Sequence, residues 1–432
     1  MMLNLPLITV GKTISQISKR LNRGHGSTWP GHIALKGNKN FIRDILAKSK
    51  IKVIIVAGTN GKTTTSGLIR TGLEKNGSTV LQNESGANLL NGIASTILLN
   101  TNTHGDITQD YAIFEVDENA LPLVLNQIAP DYLVLLNLFR DQLDRYGEIN
   151  TIVQKWHDAI NKLPKTTKLI INADDSQIAY ISLTSQLDSL YFGLNVKKTK
   201  QSQYAADSVS CPKCGSELIF ETTTFSHLGN WQCNSCGLHH PKIEMIHFAH
   251  YPLSGTYNKY NTHAAAVVLK NLKMTDEQIY DSFKQFAPMF GRQEIIQYQK
   301  RNVQLFLSKN PTSFNQSFQT IRELKALSLL IVLNDRIPDG RDISWIWDTN
   351  LPQLEEFKQI TLAGDRVYDM ALRLKYEMGI ENYEKKVKIF ENLKEAINTT
   401  IDHLPINETL YILPTYSAML DIRKILTGRK IL

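Results

Sequence analysis

Seven consecutive residues have the types and order expected of a phosphate-binding turn: Gly58, Thr59, Asn60, Gly61, Lys62, Thr63 and Thr64. They follow an apolar run, Val53 to Ala57, and begin a helical pattern that extends to Lys75. A glycine turn between a strand and a helix directs backbone N–H groups and the positive end of the helix dipole at phosphate oxygens. Lys62 would then reach the β- and γ-phosphates of ATP, and the Thr63 hydroxyl would bind Mg²⁺. Val56 stands where the longer form of this pattern has a glycine.

The chain has four cysteines, arranged as two close pairs: Cys211 with Cys214, and Cys233 with Cys236. The 18 residues from 215 to 232 separate the pairs, and a glycine follows each pair. This spacing predicts a tetrahedral Zn²⁺ site with four thiolate ligands, which is structural because no coordination position stays open. Such a site would stabilise a small insert by on the order of 10 kcal/mol. A disulfide pair or a redox motif is the alternative, and four histidines offer substitute ligands: His239, His240, His247 and His250.

The segments that must position these residues alternate between short apolar runs and helical patterns. Strands are predicted at 53–57, 111–116, 132–136 and 168–171, and again at 303–307, 329–333, 360–363, 387–390 and 410–413. Helical patterns lie between them, including one from Asn258 to Leu272. This alternation predicts largely parallel sheets with helices on both faces.

We therefore predict an α/β protein with two sheet-containing domains and one insertion. A basic N-terminal segment (1–52) precedes a central ATP-binding domain (53–295), in which polar residues and the cysteines form an inserted zinc ribbon (about 205–250). The second series of strands predicts a C-terminal Rossmann-like α/β domain (296–432).

Composition and charge narrow the class of protein. The chain has 432 residues, 42% of them hydrophobic and a net charge of +7, and its apolar runs are far shorter than the roughly 18 residues of a membrane-spanning helix. Residues 1–52 contain ten Lys or Arg and one acid, Asp44. This basic segment is a solvated face, a transit peptide or a contact for an anionic surface such as lipid. We expect a cytoplasmic protein. We also expect no nucleic-acid partner, because aromatic residues do not alternate with the basic residues.

The turn at 58–64 resembles the short form found in Mur ligases and folylpolyglutamate synthases. Further segments resemble theirs in the same order: 114–118, 137–147, 172–175, 258–261, 291–294 and 334–335. The resemblance implies a Mur ligase-type central domain in which Glu115 holds Mg²⁺ and Asn258 and Asn261 lie near the adenine. It also implies that Arg292 and Asp335 contribute to the nucleotide site. Gln142 departs from the pattern, because the family usually has a metal-binding histidine there.

Three features resemble one branch of the family, the synthetase subunits of a lipid II amidotransferase. Members of this branch carry a four-cysteine insert, and the roughly fifty residues before the turn are too few for the domain with which other Mur ligases hold UDP-linked substrates. The segment Asp339 to Asp348 also resembles theirs, and the resemblance implies that one aspartate in it assists a partner glutaminase. We favour Asp348, with Asp339 and Asp342 as alternatives and a simple helix or turn cap as the structural explanation.

The predicted activity is ATP-dependent formation of a carbon–nitrogen bond. Four metal-bound cysteines would leave no thiol to attack glutamine, so ammonia would come from another polypeptide. The resemblance implies that this partner is a class I glutaminase similar to GatD, forming a heterodimer. It also implies that the pair converts D-glutamate of the lipid II stem peptide to D-isoglutamine through an acyl phosphate, with Lys62 and Arg292 acting on the phosphoryl group and Asp348 on the glutaminase. The alternatives are an amino-acid-adding Mur ligase, a folylpolyglutamate synthase, or a zinc-ribbon ATPase that binds nucleic acid.

Overall fold

A computed structural model describes residues 4–20, 28–83, 86–102, 104–140, 149–194, 207–244, 246–288 and 290–428, with side chains of the first helix described up to residue 17. It contains two six-stranded sheets and one two-stranded hairpin within these ranges. Helices surround both large sheets, so the predicted α/β fold is confirmed. Among the described helices, none combines the length and apolar character that crossing a bilayer requires.

The first sheet is entirely parallel, with strands in the spatial order β2-β3-β1-β4-β5-β6. Its strands are β1 (Lys52–Ala57), β2 (Val80–Gln82), β3 (Tyr111–Val116), β4 (Tyr132–Leu135), β5 (Lys168–Asn172) and β6 (Asp188–Phe192). The four strands predicted for this region match the central strands to within one residue at each end. The other two, β2 and β6, are the edge strands and were not predicted, because they are short or only partly buried and lack a continuous apolar run.

Helices cover the first sheet on both faces. The described helices of this part are α1 (Asn4–Arg20), α2 (Trp29–Gly37), α3 (Phe41–Leu46), α4 (Lys62–Lys75), α5 (Leu90–Asn100), α6 (Leu121–Leu125), α7 (Ile149–Ile160), α8 (Ser176–Leu183), α9 (Thr256–Asn271) and α10 (Asp276–Lys284). Ile55 faces a core that includes α5 and α7, whereas Ile54 faces a core built from α4, α9 and α10. This alternation explains why β1 is apolar along nearly its whole length.

The described part of the N-terminal segment contains helices α1, α2 and α3, which pack on the first domain. Phe41, Ile42 and Ile45 are buried in the same core as α5. Where α2 crosses α5, the Gly31 N–H donates to Ser95 Oγ at 2.7 Å, and a Cβ on Gly31 would lie 2.0 Å from the Asn91 carbonyl oxygen. Close helix contact therefore requires glycine at this position.

The second sheet has the order β13-β12-β11-β14-β10-β9, and only β9 is antiparallel to its neighbour. Its strands are β9 (Arg292–Tyr298), β10 (Arg301–Phe306), β11 (Ser328–Val332), β12 (Gln359–Ala363), β13 (Val387–Ile389) and β14 (Thr409–Pro414). The surrounding helices are α11 (Pro311–Glu323), α12 (Val367–Met378), α13 (Ile380–Lys386), α14 (Leu393–Asp402) and α15 (Tyr416–Thr427). The sequence predicted five of these strands but not β9, an edge strand in which only Gln293 is buried.

The cysteine-containing insert forms a small antiparallel hairpin. Its strands are β7 (Ile219–Phe225) and β8 (Leu228–Gln232), and short bridges extend the pairing on both sides, Ser210 with Glu217 and Gln232 with His239.

Candidate active site

The phosphate turn lies between the end of β1 and the start of α4, as predicted. Gly61 caps α4 with a φ of 93°, in the region that favours glycine. A Cβ on Gly61 would lie 2.1 Å from Asn261 Oδ1, so space as well as backbone conformation requires glycine. Asn137 holds the turn in place. Its side chain accepts from the Asn60 N–H at 2.9 Å and donates to the Asn60 carbonyl at 3.0 Å.

The Lys62 ammonium group is buried at the mouth of this turn. It donates to the backbone carbonyls of Gly58 and Thr59, the latter at 3.2 Å, and forms a salt bridge with Glu118 Oε2 at 3.3 Å. Both side chains of this pair are at most 10% exposed. Glu118 therefore balances the charge of Lys62, and it was not among the predicted site residues.

Thr63 and Glu115, the two residues predicted to hold Mg²⁺, lie beside each other next to the turn. Thr63 Oγ1 donates to Glu115 Oε2 at 2.7 Å, and Gln82 Nε2 contacts the other carboxylate oxygen at 3.3 Å. Burial raises the pKa of Glu115, and the positive charge of Arg292 partly offsets this increase. Burial likewise lowers the pKa of Arg292, and Glu115 opposes that shift. Two oxygen ligands beside a phosphate-binding turn fit a Mg²⁺ ion, which would neutralise the charge that burial disfavours.

The two asparagines predicted near the adenine lie at the start of α9. Both are buried, and they are joined by a hydrogen bond from Asn261 Nδ2 to Asn258 Oδ1 at 3.1 Å. Asn261 also accepts from Thr65 Oγ1 at 3.4 Å, so it contacts the first turn of α4. Asn258 donates to the Ser254 carbonyl at 2.7 Å. The structure thus brings Asn261 to the turn at Gly61 and joins Asn258 to Asn261, and the contact of both residues with adenine stays a prediction.

The C-terminal domain reaches the turn through Asn310. This buried residue caps α11 and its Nδ2 lies 3.4 Å from Asn60 Oδ1. Asp335, by contrast, pairs with Arg366 at 3.3 Å, and no contact within the described residues joins it to the turn. The contribution of Asp335 to nucleotide binding therefore stays a prediction.

The four cysteines converge on one point. Their sulfur atoms all lie within 4.8 Å of one another, with Cys211 Sγ 3.6 Å from Cys236 Sγ and Cys214 Sγ 3.5 Å from Cys233 Sγ. Four thiolates about 2.3 Å from a zinc ion lie roughly 3.8 Å apart, so the arrangement fits that ion. Hydrogen bonds from Ser216 lower the pKa of Cys214 to about 6, whereas burial raises that of Cys211 to about 12.

Each cysteine pair closes the same tight turn. The Gly215 N–H donates to the Cys211 carbonyl at 2.9 Å, and the Gly237 N–H donates to the Cys233 carbonyl at 3.0 Å. Both glycines have positive φ values, 77° and 73°. The repeated turn directs both thiols of a pair to the same side.

Two buried aspartates at the end of β5 attach the insert to the first domain. Asp174 Oδ1 lies 2.8 Å from His240 Nε2, and Asp175 Oδ2 lies 3.4 Å from His227 Nε2. His240 is thus engaged with Asp174 rather than with the cysteine cluster. Asp175 also accepts from the Leu138 N–H at 2.9 Å, which links the insert to the segment beneath the phosphate turn.

The three aspartates considered for the glutaminase role have different environments. Asp339 is buried and accepts from the Ser417 N–H at 2.7 Å, so it caps α15. Asp342 accepts from the Ser344 N–H at 2.8 Å. Asp348 ends a short 3₁₀ helix, is 49% exposed and pairs with Arg140 Nη2 at 2.7 Å across the two domains. Asp348 is the one of the three whose carboxylate both faces solvent and lies near the first domain.

The sequence and structure also match known proteins. Residues 56–269 match the family model of the Mur ligase middle domain, and residues 307–419 match that of the MurT ligase C-terminal region. A protein named lipid II isoglutaminyl synthase (glutamine-hydrolyzing) subunit MurT from Streptococcus pneumoniae is 32% identical, over 98% of this chain and 97% of its own length. A protein of the same name from Staphylococcus aureus is 29% identical over 90% and 92%. The chain belongs to the MurT family of Mur ligases.

Solved structures show the same fold at lower identity. A pseudomurein peptide ligase type C from Methanothermus fervidus superposes with a TM-score of 0.64 at 21% identity, over 89% of this chain and 80% of that chain. MurF ligase from Thermotoga maritima in complex with ADP has a TM-score of 0.60 at 14% identity, over 90% and 82%.

Membership in the MurT family makes the chain an ATP-dependent ligase. The family implies ATP and Mg²⁺, and the structure provides a phosphate turn and a Thr63–Glu115 oxygen pair that suit them. The segment 141–147, which includes Gln142, lies outside the described residues.

Several site residues were not selected from the sequence. Glu118 and Asn137 were within segments quoted for the family resemblance, yet only the structure assigns them, and Asn310, contacts with Lys62 or Asn60. Asn83, which holds the Glu115 N–H at 2.9 Å, had no signal in the sequence.

Proposed function

We propose that this chain is the synthetase subunit of a glutamine amidotransferase that amidates the α-carboxylate of D-glutamate in the lipid II stem peptide. The observation that carries the proposal is the similarity along nearly the whole chain to subunits named for that enzyme. The clustering of all four cysteines of the chain supports it, because no thiol stays free to attack glutamine.

The chemistry begins with activation of the carboxylate. A carboxylate is a poor electrophile, so one of its oxygens attacks the terminal phosphorus of ATP and the bond to ADP breaks. Lys62 and Arg292 would stabilise the charge on the transferred phosphoryl group, and Lys62 would leave Glu118 to do so. Mg²⁺ held by Thr63 and Glu115 would neutralise charge on the phosphates. Ammonia then attacks the acyl carbon, phosphate leaves, and the nitrogen loses a proton to give the amide.

The source of ammonia is a partner subunit in this proposal. The partner is a class I glutaminase, forming a heterodimer with the chain, and Asp348 is the residue that assists it. The exposure of Asp348 supports this assignment over Asp339, whose carboxylate is buried and caps a helix. We further propose that the cysteine cluster holds Zn²⁺ and that the basic N-terminal segment contacts the anionic membrane surface where lipid II lies.

The central test is amidation of lipid II by the purified chain with ATP and an ammonium salt. Isoglutamine-containing product is expected without any partner. Product that forms only with an added amino acid would instead support an amino-acid-adding ligase or a folylpolyglutamate synthase.

A second experiment addresses Asp348. In the complex with its glutaminase, Asp348→Asn should lower glutamine-dependent amidation by at least about 100-fold, because a misplaced or uncharged group no longer orients the partner's catalytic residue. Ammonium-dependent amidation should change little. Asp342→Asn, a change in an exposed aspartate of the same segment, is the control. Equal loss of both activities in Asp348→Asn would disprove the assignment.

A further inference from the structure

Arg140 lies between the phosphate turn and Asp348. It follows Asn137, Leu138 and Phe139 in the segment after β4. Consecutive backbone N–H groups of this segment each donate to a side chain from a different part of the chain: Leu138 to Asp175 at 2.9 Å, Phe139 to Thr59 at 3.1 Å and Arg140 to Asp207 at 3.0 Å. Hydrogen bonds to three separate parts of the chain therefore hold the backbone that leads to Arg140.

One of these contacts belongs to the phosphate turn itself. Thr59 Oγ1 accepts from the Phe139 N–H and lies 3.2 Å from the Phe139 carbonyl oxygen, and the Thr59 N–H donates to the Asn137 carbonyl at 2.9 Å. The ring of Phe139 also packs against His227 of the insert, with centroids 5.0 Å apart. Any change in the turn when phosphate binds would thus reach the residue immediately before Arg140.

The side chain of Arg140 extends from this fixed backbone to the other domain. Its Nη2 donates to Asp348 Oδ2 at 2.7 Å, and its Nε lies 3.8 Å from Asp207 Oδ1. Asp207 is largely buried, with a side chain 8% exposed, and so anchors one end of the guanidinium group. Because Arg140 contacts one oxygen of the Asp348 carboxylate, it holds that oxygen near the first domain and leaves the second oxygen for another contact.

We propose that Arg140 is a positioning residue, which orients Asp348 for the partner glutaminase and makes that orientation depend on the phosphate turn. This inference rests on the proposed function, in which Asp348 assists the glutaminase. It goes further by linking glutamine hydrolysis to occupation of the ATP site, so that ammonia is released when the carboxylate can be activated. The link consists of the hydrogen bond between Thr59 and Phe139, the peptide bond between Phe139 and Arg140, and the ion pair of Arg140 with Asp348.

The test uses the complex of the full chain with the glutaminase that co-purifies with it. Arg140→Ala removes the contact with Asp348, and Arg140→Lys keeps a positive charge that can pair with one oxygen. Arg70→Ala is the matched control, since Arg70 is also a half-exposed arginine in an ion pair, 2.7 Å from Glu74. Glutamine hydrolysis is measured with and without a non-hydrolysable ATP analogue, and amidation of lipid II is measured with ammonium as the nitrogen source.

We expect the analogue to stimulate glutamine hydrolysis in the unaltered complex and in Arg70→Ala. Arg140→Ala should lose this stimulation and hydrolyse glutamine at least about tenfold more slowly, because small errors in placing a catalytic group are costly. Ammonium-dependent amidation should stay within about threefold, and Arg140→Lys should recover part of the stimulation. A purely structural role of Arg140 would instead lower both activities together.

Three results would overturn the inference. They are an unaltered complex that does not respond to the analogue, an Arg140→Ala complex that keeps full stimulation, and equal loss of hydrolysis and ammonium-dependent amidation. If Arg140→Ala does not assemble with the glutaminase, Arg140→Lys decides by the same criteria.

Asp348→Asn distinguishes failure of the proposed role of Asp348 from failure of the positioning role of Arg140. Normal hydrolysis in Asp348→Asn refutes the proposed role of Asp348, whereas loss in Asp348→Asn with normal Arg140→Ala refutes only the positioning role.

Discussion

The phosphate turn shows how a single residue can be constrained in two ways. Gly61 needs glycine for its backbone conformation and also for the space occupied by Asn261. Gly77, at the other end of α4, has a similar φ of 84° but no atom within 4 Å of its Cβ position. An alanine at Gly77 would therefore strain the backbone without a steric clash, whereas an alanine at Gly61 would cause both.

Gly61→Ala should weaken binding of a non-hydrolysable ATP analogue by more than about tenfold, because the new methyl group displaces Asn261 and distorts the turn. Gly77→Ala has comparable backbone strain, of order 1 to 3 kcal/mol, but should bind the analogue normally. Calorimetric titration gives both affinities. Equal weakening in the two variants would show that the clash with Asn261 is unimportant.

At the scale of elements, the hairpin insert is held by its cysteine cluster and by the end of β5. The hairpin buries few apolar residues of its own, and its small core consists of Cys211, Leu218, Trp231 and Cys233 packed against Ala179 of α8. A core of this size needs additional stabilisation, which a bound metal ion would provide.

We expect one zinc ion per chain, released by a strong chelator together with four reactive thiols. Removal should also weaken binding of the ATP analogue, because the insert contacts Asp175 and Phe139 beneath the phosphate turn. Cys233→Ser should lose the metal, and His247→Ala should retain it. Metal analysis and thiol titration provide the measurement, and a metal-free chain with two disulfides would contradict this expectation.

Helix α9 carries a buried histidine that makes stability depend on pH. His263 packs against Phe248 and Tyr251, and burial lowers its pKa to about 4 from an ordinary value near 6.5. Between these two pH values the unfolded chain binds more protons than the folded chain. Stability therefore falls as pH decreases through this window.

The contribution of His263 to stability should decrease by about 2 kcal/mol between pH 7 and pH 5. His263→Gln should flatten the corresponding slope, whereas His403→Gln, which alters an exposed histidine, should leave it unchanged. Urea unfolding at a series of pH values measures the slope. The same slope in His263→Gln would contradict the assignment.

At the scale of the whole molecule, two α/β domains meet at the phosphate turn and basic charge gathers at the N-terminal end. Asn310 reaches Asn60, and Arg140 reaches Asp348, so contacts across the domains surround the site. The described basic side chains before β1 include exposed lysines such as Lys36 and Lys39, whereas Asp44 is hydrogen-bonded to Asn38.

The chain should bind vesicles that contain anionic lipid and should dissociate as salt increases. Each basic residue near such a surface contributes about 1 kcal/mol, so reversing Lys36 and Lys39 to Glu should weaken binding by more than about tenfold. Reversal of Lys385 and Lys388, which are exposed on the C-terminal domain, serves as the control. Co-sedimentation measures binding, and equal effects of both reversals would refute a directed contact.

The sequence alone predicted features that depend on neighbours along the chain. Apolar runs located the central strands, glycine and lysine spacing located the turn between β1 and α4, and cysteine spacing identified the four clustered thiols. The edge strands β2, β6 and β9 lack such local signals. Each pairs with only one neighbouring strand, so part of its surface faces water and need not be apolar.

Tertiary structure alone decided which distant residues act together. The pairing of Lys62 with Glu118, the cap of Asp339 on α15 and the contact between Arg140 and Asp348 join segments separated by 56 to 208 positions. Such pairs leave no pattern in one sequence, because the order of strands and the packing of the domains bring them within reach. The chemistry of each residue is thus set by its type, whereas its partner is set by the fold.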